Sequence, residues 1–327
     1  MKQHPITADG LTHFDDVLGR GSGRYFATGH RRVEYTSRYD ESGGDDTVQR
    51  VSGVCEVAYP VDWSLDAQGR PRSLHLSSID ALVICSRAVD HARQRWPEIG
   101  KAVPAMDRLA IRAGARPVTR LDAVPFAVTV TCIGAARLSV VAHVGGFTVT
   151  ADIGLVFGEG PGGATVEPDT RAPNDPSLSG FVCDVDYEER AVTTLHRWTS
   201  SAGEVRGTDV DSPQLTLTSI DDIVLFGQVA QVLVQLTEGI ARGSIENLWM
   251  RRMEFTQRHR SHGGAFRVHA HLVAHDVIER AGTLMHSLRM TARSEHGVDA
   301  DAVFGFVSPA AGRPGATVLV TQQDLAT

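Results

Sequence analysis

The sequence predicts an α+β protein built by duplication, in which two curved antiparallel sheets each wrap around a long central helix. Three observations lead there. The stretch LHLSSIDALVICSRAVDHA from Leu74 returns, 141 residues on, as LTLTSIDDIVLFGQVAQVL from Leu215. Solenoid units recur at about 20–50 residues, so this longer period marks a duplicated domain. Runs rich in Val, Ile, Thr and Phe, broken by Gly and polar turns, flank both copies and read as strands. Finally, the second copy's helix is apolar on nearly every side, which requires burial on nearly every side.

In chain order, two β-like runs, Arg24–Arg38 and Thr47–Tyr59, precede the first copy, with ESGGDD as a hairpin connection between them. The copy itself opens a helix. After it, PFAVTVTCIGAARLSVVAHVGGFTVTADIGLVF reads as three strands, broken at GAAR and GG. A Gly- and Pro-dense stretch, GEGPGGATVEPDTRAPNDPS, then reads as a linker. The second half repeats the order, with strands at Phe181–Tyr187 and Ala191–Ser200, a helix over Ile220–Leu236, and strands at Leu248–Gln257, Ala265–His275 and Thr283–Ser294. Each half is thus expected as β-β-α-β-β-β, antiparallel because the connections are short. A sheet is the only regular structure left to cover the apolar helix. A curved antiparallel sheet on a central helix is the hotdog fold, and two copies make a double hotdog. The expected division is 1–157, a linker at 158–179, and 180–327.

Length and composition agree. The 327 residues suit about two domains. With 42% hydrophobic and 22% charged residues, the chain has the composition of an ordinary globular protein. The net charge of −7 argues against a nucleic-acid partner, whose binding domain is usually basic. The first sixteen residues hold no apolar run, so no secretory signal is expected. No window of 18 uninterrupted apolar residues occurs, so no membrane span is expected either. Cys55, Cys85, Cys132 and Cys183 are scattered without a CxxC pair and are expected to be reduced, mostly buried thiols of a cytoplasmic protein.

The polar exceptions on the second helix are Asp221, Gln228, Gln231 and Gln235, whose offsets place them in a stripe about 80° wide. Their counterparts in the first copy are Asp80, Arg87, Asp90 and Gln94, all polar. Asp80 and Asp221 fit capping boxes, Ser77-Ser78-Ile79-Asp80 and Thr218-Ser219-Ile220-Asp221. Asp222 has no such explanation, since Ala81 is its counterpart. Buried without partners, the other stripe residues would cost about 1–3 kcal/mol each, so they need one another, water or a ligand.

Other signals are weaker. GRGSGRYFATG matches neither GxxxxGK[ST] nor GxGxxG. HAHLVAH puts His269, His271 and His275 on one face of a strand, but no carboxylate pattern accompanies them, and no metal is expected. RSHGG has no nucleophile context and no GxSxG occurs. Cys85 reads as core. Arg251, Arg252, Arg258 and Arg260 form a basic cluster suited to an acidic carrier protein, a phosphorylated ligand, or simply solvent.

FDDVLGRGSGRYFATGHRR, YPVDWS, HLSSIDALV, SIDDIVLFGQVAQ and NLWMRRMEF together resemble the avirulence D protein family, over Phe14 to about Phe306. A looser likeness is to the hotdog enzymes of γ-butyrolactone autoregulator synthesis. The resemblance implies syringolide-type biosynthesis, in which a β-ketoacyl chain is joined to a small ketose such as xylulose to give a butenolide. The acyl group would arrive as a thioester on acyl-carrier protein or coenzyme A, with no resident cofactor. On that basis acyl transfer is expected where the two hotdogs meet. Catalysis is expected from His75, Asp80, Asp221, Asp222 and Gln231, and substrate binding from Arg87, Asp90, Gln228, Arg251 and Arg252. Thioester hydrolysis, β-hydroxyacyl dehydration and non-catalytic acyl or lactone binding are the alternatives, and a homodimer is compatible with all of them.

Overall fold

The computed structural model describes residues 10–156 except 22, 23, 28, 41, 42, 66–68, 98, 100, 101 and 135. It also describes 177–200, 203 and 204, and 219–309 except 240–247, 258–264 and 281–282. Most of the expected linker, RSHGG, Arg258, Arg260 and Thr218 therefore lie outside the described residues.

The first half runs β1 (Thr12–His13), α1 (Phe14–Leu18), a 3-10 turn (Gly29–Arg32), β2 (Glu34–Tyr39), β3 (Gly43–Gly44), β4 (Val48–Ala58), α2 (Ser78–Arg93), β5 (Val103–Arg112), β6 (Val124–Cys132), β7 (Arg137–Val144) and β8 (Phe147–Val156). The second half runs β9 (Ser177–Asp186), β10 (Ala191–Ser200), β11 (Gly203–Glu204), α3 (Ser219–Thr237), β12 (Trp249–Gln257), β13 (Ala265–Arg280), β14 (Thr283–Ser294) and β15 (Val298–Pro309).

Among the described residues all strands join one antiparallel sheet, in the order β1-β9-β10-β13-β14-β15-β12-β5-β8-β7-β6-β4-β2, with β3 and β11 pairing off this path. The order β9-β10-β13-β14-β15-β12 repeats β2-β4-β6-β7-β8-β5 strand for strand. The two copies meet where β12 pairs β5, from Arg252↔Arg112 to Thr256↔Arg108. Helix α2 packs on β4, β6, β7 and β8, α3 packs on β9, β10 and β13, and the two helices touch each other. Alternation along the strands, as in β7, where Leu138, Val140, Ala142 and Val144 are buried, sends one face to the helices.

Three expectations need correction. Each half has four strands after its helix, not three. The additional strands are β5 in the first half and β15 in the second, whose strand pattern is interrupted by Pro104, Asp107 and Arg108 and by Asp299, Asp301 and Gly305. The Arg24–Arg38 run is a strand only from Glu34, since turns and the 3-10 helix occupy its first part. The linker is expected to extend to residue 179, but β9 begins at Ser177.

The N-terminal segment also crosses the expected division. Thr12 and His13 pair with Val182 and Phe181 of β9, and α1 packs on α3. A Cβ on Gly227 would come within 2.8 Å of the Phe26 ring, so the glycine lets this segment lie flat on α3. Residues 12–21 and 24–27 thus strap the first half onto the second.

Helix α3 is buried as its composition demands: Phe226, Val229, Val232 and Leu233 are fully inaccessible. Over Ile220–Thr237 it is long and apolar enough to cross a membrane by length and composition, and 67% of that window is buried within the protein. All four cysteines are free, with Cys55 and Cys85 buried. Burial pushes the Cys85 thiol up to about 12, which suits a core residue and not a nucleophile.

Candidate active site

The start of α2 is set by a capping box. The Asp80 amide donates to Ser77 Oγ at 3.1 Å, and the Ser77 amide donates to Asp80 Oδ2 at 2.6 Å. The Ala81 amide already bonds the Ser77 carbonyl at 3.1 Å. Of the four amides that a helix start leaves without intrahelical acceptors, the capping box leaves those of Ser78 and Ile79, and Ser78 is the one of the two that lines the cavity described next. Asp80 is fully buried. Its Oδ1 accepts from the hydroxyls of Tyr25 at 3.0 Å and Tyr35 at 2.6 Å, and its Oδ2 accepts from Tyr59. Burial and the carboxylate beside them push all three tyrosines well above the ordinary phenol range, so they remain protonated donors.

This end of α2 opens onto a cavity of about 160 Å³. The first half contributes Trp63, His75, Leu76, Ser77, Ser78, Val118 and Phe147. The strap contributes Arg24, Tyr25 and Phe26, and the second half Gln231, Val234, Leu248, Trp249, Met250 and Arg251. Its charged wall consists of Arg24, Arg72, Arg116 and Arg251, with no carboxylate among the described lining residues. Arg251 is held at the junction of the halves. Its carbonyl accepts from the Ala113 amide at 2.9 Å, and its Nη1 donates to the Gly114 carbonyl at 3.0 Å. A Cβ on Gly114 would sit 2.7 Å from the Gly146 carbonyl, so this loop can pack against the next only with glycine there.

His75 lies in the cavity wall beside Trp63, with ring centroids 5.7 Å apart in an edge contact. Its Nδ1 is 3.0 Å from the Ser73 carbonyl oxygen. A carbonyl can only accept, so Nδ1 is the donor, and in the neutral ring Nε2 is the nitrogen left to accept.

The polar stripe is answered mainly by the strap. Arg24, only 4% exposed, donates from Nη1 to Gln228 Oε1 at 3.1 Å and from Nη2 to Asp15. Burial lowers the Arg24 pKa, opposed by the adjacent Asp15 carboxylate. Gln235 donates to the Val17 carbonyl. Gln231 is the stripe residue whose side chain reaches the cavity. In the first copy Arg87 donates to the Tyr35 carbonyl at 2.8 Å and lies over the Tyr35 ring. Asp90 pairs with Arg93 at 3.4 Å, and burial raises its pKa. Both are away from the cavity.

The structure therefore brings His75, Gln231 and Arg251 together at one site and excludes other candidates from its wall. Asp80 is enclosed by hydrogen-bond donors behind Ser77. Gln228 is occupied by Arg24. Arg252 is exposed and joins a surface network with Glu254 at 3.6 Å and Asp301 at 3.9 Å, because it points to the opposite face of β12 from its neighbour. Asp221 and Asp222 are buried in the first turn of α3. Asp222 Oδ1 accepts from His296 Nε2 at 2.9 Å, and His296 Nδ1 meets Ser294 Oγ. Arg24, Tyr25, Tyr59 and Trp63 were missed. They lie in GRGSGRYFATG and YPVDWS, whose meaning is tertiary, and only the unpartnered stripe hinted that something must cover it.

Beside the Asp222–His296 pair lies His196, which is 1% exposed and 2.8 Å from Thr194 Oγ1. Burial, and then His296, pull the His196 pKa down to about 3. The folded protein keeps this ring neutral, whereas the unfolded chain protonates it below about pH 6.5. The neutral ring's contribution is complete above that pH and is lost as pH falls toward 3, at up to about 1.4 kcal/mol per unit. Urea unfolding between pH 7 and 4 should show this slope, and His196→Gln should flatten it.

The three histidines of HAHLVAH do not share a face. The β13–β14 register shifts between Leu272 and Ala274, which turns His275 inward. There its Nδ1 meets Glu238 at 2.6 Å and its Nε2 meets His286 at 2.9 Å. Among the described residues no cluster of three or more His, Cys, Asp or Glu side chains forms a metal site.

Residues 10–170 match the family described as Pseudomonas avirulence D protein (AvrD). This bears out the resemblance across the first half of the chain, where three of the five quoted motifs lie. No curated protein matches the chain. Similar solved structures include a conserved protein of unknown function with a hot dog fold from Alicyclobacillus acidocaldarius, at 11% identity and TM-score 0.40, covering 84% of this chain and 97% of that one. An acyl-CoA thioesterase II from Mycobacterium marinum is 10% identical with TM-score 0.38, covering 85% and 97%. An acyl-ACP thioesterase from Bacteroides thetaiotaomicron is 11% identical with TM-score 0.38, covering 84% and 99%. Likenesses this distant carry no argument about what this chain binds.

Proposed function

We propose that the chain is a cytoplasmic double hotdog, its first unit ending with β8 and its second beginning with β9, that transfers a β-ketoacyl group from a thioester to the hydroxyl of a small ketose. The observation that carries this reading is the cavity itself. Apolar walls from both halves meet a helix start, a histidine with a set tautomer and an arginine rim with no acid among its described residues. Phe26, Leu76, Phe147, Val234 and Leu248 offer a dry surface for an acyl chain.

In the proposed step, His75 Nε2 takes the proton of the ketose hydroxyl as its oxygen attacks the thioester carbonyl. The oxyanion accepts from the Ser78 amide at the positive end of α2. Collapse breaks the carbon–sulfur bond, and the thiolate leaves with the proton held by His75. The products are an ester and a free thiol. Condensation of the acyl methylene with the ketose carbonyl, with loss of water, then closes a butenolide. Gln231 orients the ketose by hydrogen bonding.

The test is incubation of the protein with a β-ketoacyl thioester, with and without xylulose, followed by mass spectrometry. Ester or butenolide formed only with the sugar supports the proposal. Free acid released at the same rate in both supports hydrolysis, and saturable binding without thiol release supports a binding protein.

Arg72, Arg116 and Arg251 suit the phosphate of a phosphopantetheine arm, whether on coenzyme A or on an acyl-carrier protein. Arg251→Glu should therefore raise KM for acyl-coenzyme A and acyl-carrier substrates by about tenfold or more, on the scale of one charge-assisted hydrogen bond. KM for the phosphate-free N-acetylcysteamine thioester should be unchanged. Steady-state kinetics on the three donors measures this.

A further inference from the structure

We infer that Tyr59, anchored on Asp80, is a positioning residue that holds His75 in its base-competent form. The inference rests on the proposed role of His75. Its geometric part can be tested without activity.

Asp80 accepts from four donors: the hydroxyls of Tyr25, Tyr35 and Tyr59, and the Ser77 amide. These four bonds occupy the carboxylate and leave it enclosed. Its carboxylate stands at the centre of a rigid cage. Tyr59 is the member of that cage that reaches residue 75. Its single hydroxyl proton is shared between Asp80 Oδ2 and the His75 carbonyl oxygen, the latter at 3.0 Å. Two residues before that carbonyl, the Ser73 carbonyl takes the His75 Nδ1 proton at 3.0 Å.

The aromatic contacts fix the ring from the other side. Trp63 packs against Tyr59 at 4.9 Å, Tyr25 at 5.3 Å and the His75 ring at 5.7 Å. The Trp63 Nε1 donates to the Arg72 carbonyl at 3.2 Å, tying this ring to the segment just before Ser73. The backbone of 72–77 is therefore pinned at residue 72 by Trp63, at residue 75 by Tyr59, and at residue 77 by the capping box. The Ser73–His75 hydrogen bond that selects the tautomer sits between the first two pins.

Tyr35 provides the internal comparison. It gives Asp80 the same kind of hydrogen bond at 2.6 Å, but none of its recorded contacts is to residues 72–77. Loss of either hydroxyl leaves Asp80 with three donors. Only loss of the Tyr59 hydroxyl unties the His75 carbonyl.

The test uses the full chain labelled with nitrogen-15 and carbon-13 histidine, with His75 assigned from the spectrum of a His75→Gln variant. Wild type should show His75 protonated at Nδ1. Tyr59→Phe should show a mixture of Nδ1–H and Nε2–H forms, and Tyr35→Phe should match wild type. In turnover of the N-acetylcysteamine thioester with xylulose, Tyr59→Phe should lower kcat about 10–100-fold, as small misplacements of a reacting group do. KM should stay within about twofold, because Tyr59 is not required to touch the substrate. A His75 spectrum unchanged by Tyr59→Phe overturns the inference, as does an equal shift in Tyr35→Phe. A loss of kcat that only follows the folded fraction, measured by thermal unfolding, also overturns it. If His75→Gln retains full turnover, the catalytic reading fails, while the spectra still decide whether Tyr59 positions the ring.

Discussion

His75→Ala should slow acyl transfer by about 10²–10⁴-fold, the usual range for loss of a positioned general base. The effect should fall on kcat, because in the proposed step His75 acts on a proton that moves only as the ketose attacks. His75 is the one imidazole among the described residues of the cavity wall, and its hydrogen bond to the Ser73 carbonyl makes Nε2 the accepting nitrogen of the neutral ring. His75→Gln should be equally inactive, since an amide can hydrogen-bond but cannot accept the proton. Neither change should disturb folding, because the side chain is half-buried at the edge of Trp63 and outside the main core. Initial rates of thiol release with saturating xylulose measure this, alongside thermal unfolding of each variant. Wild-type rates in both variants would remove His75 from the chemistry.

Asp222→Ala should produce the largest loss of stability, about 3–5 kcal/mol, as expected when one partner of a buried pair is removed. Asp222 is 4% exposed and His296 3% exposed. The His296 Nε2–H donates to Asp222 at 2.9 Å, while Ser294 Oγ receives the His296 amide at 3.2 Å and meets its Nδ1. This network ties the β14–β15 turn to the first turn of α3. Without Asp222 the buried imidazole keeps a donor with nothing to receive it. Asp222→Asn retains an acceptor oxygen and should cost less. Urea unfolding measures both, and thioester affinity of the folded fraction should be unchanged. A stable Asp222→Ala protein that has lost turnover would return Asp222 to the catalytic group.

Much of this arrangement is legible in the sequence for local reasons. A capping box is a four-residue pattern, so Ser77 and Asp80 can be read directly and the structure shows both reciprocal bonds. An all-round apolar helix demands enclosure, and α3 has it. The duplication extends to strand order, which could have supplied β5 from β12 and β15 from β8 had the halves been compared strand by strand. What the sequence hides is partnership across distance. Arg24 and Gln228 are 204 residues apart, and neither context betrays the other. Asp222 looked catalytic because it lacks a counterpart in the first copy, yet its explanation is His296, 74 residues on. Strand alternation puts His275 on the same face as His269 and His271, and a single register shift reverses that. His75 and Gln231 come together only because the strap and the β5–β12 junction close the two halves around one cavity.

The central claim is that this cavity holds the acyl thioester, with both halves in its wall. Photo-crosslinking with a thioester that carries a diazirine on its acyl chain, followed by peptide mapping, addresses it most directly. The account predicts saturable labelling of peptides from both halves, around Trp63–Leu76 or Phe147 in the first and Val234 or Leu248–Met250 in the second, competed by the unmodified thioester. Saturable labelling confined to residues outside this wall would contradict it.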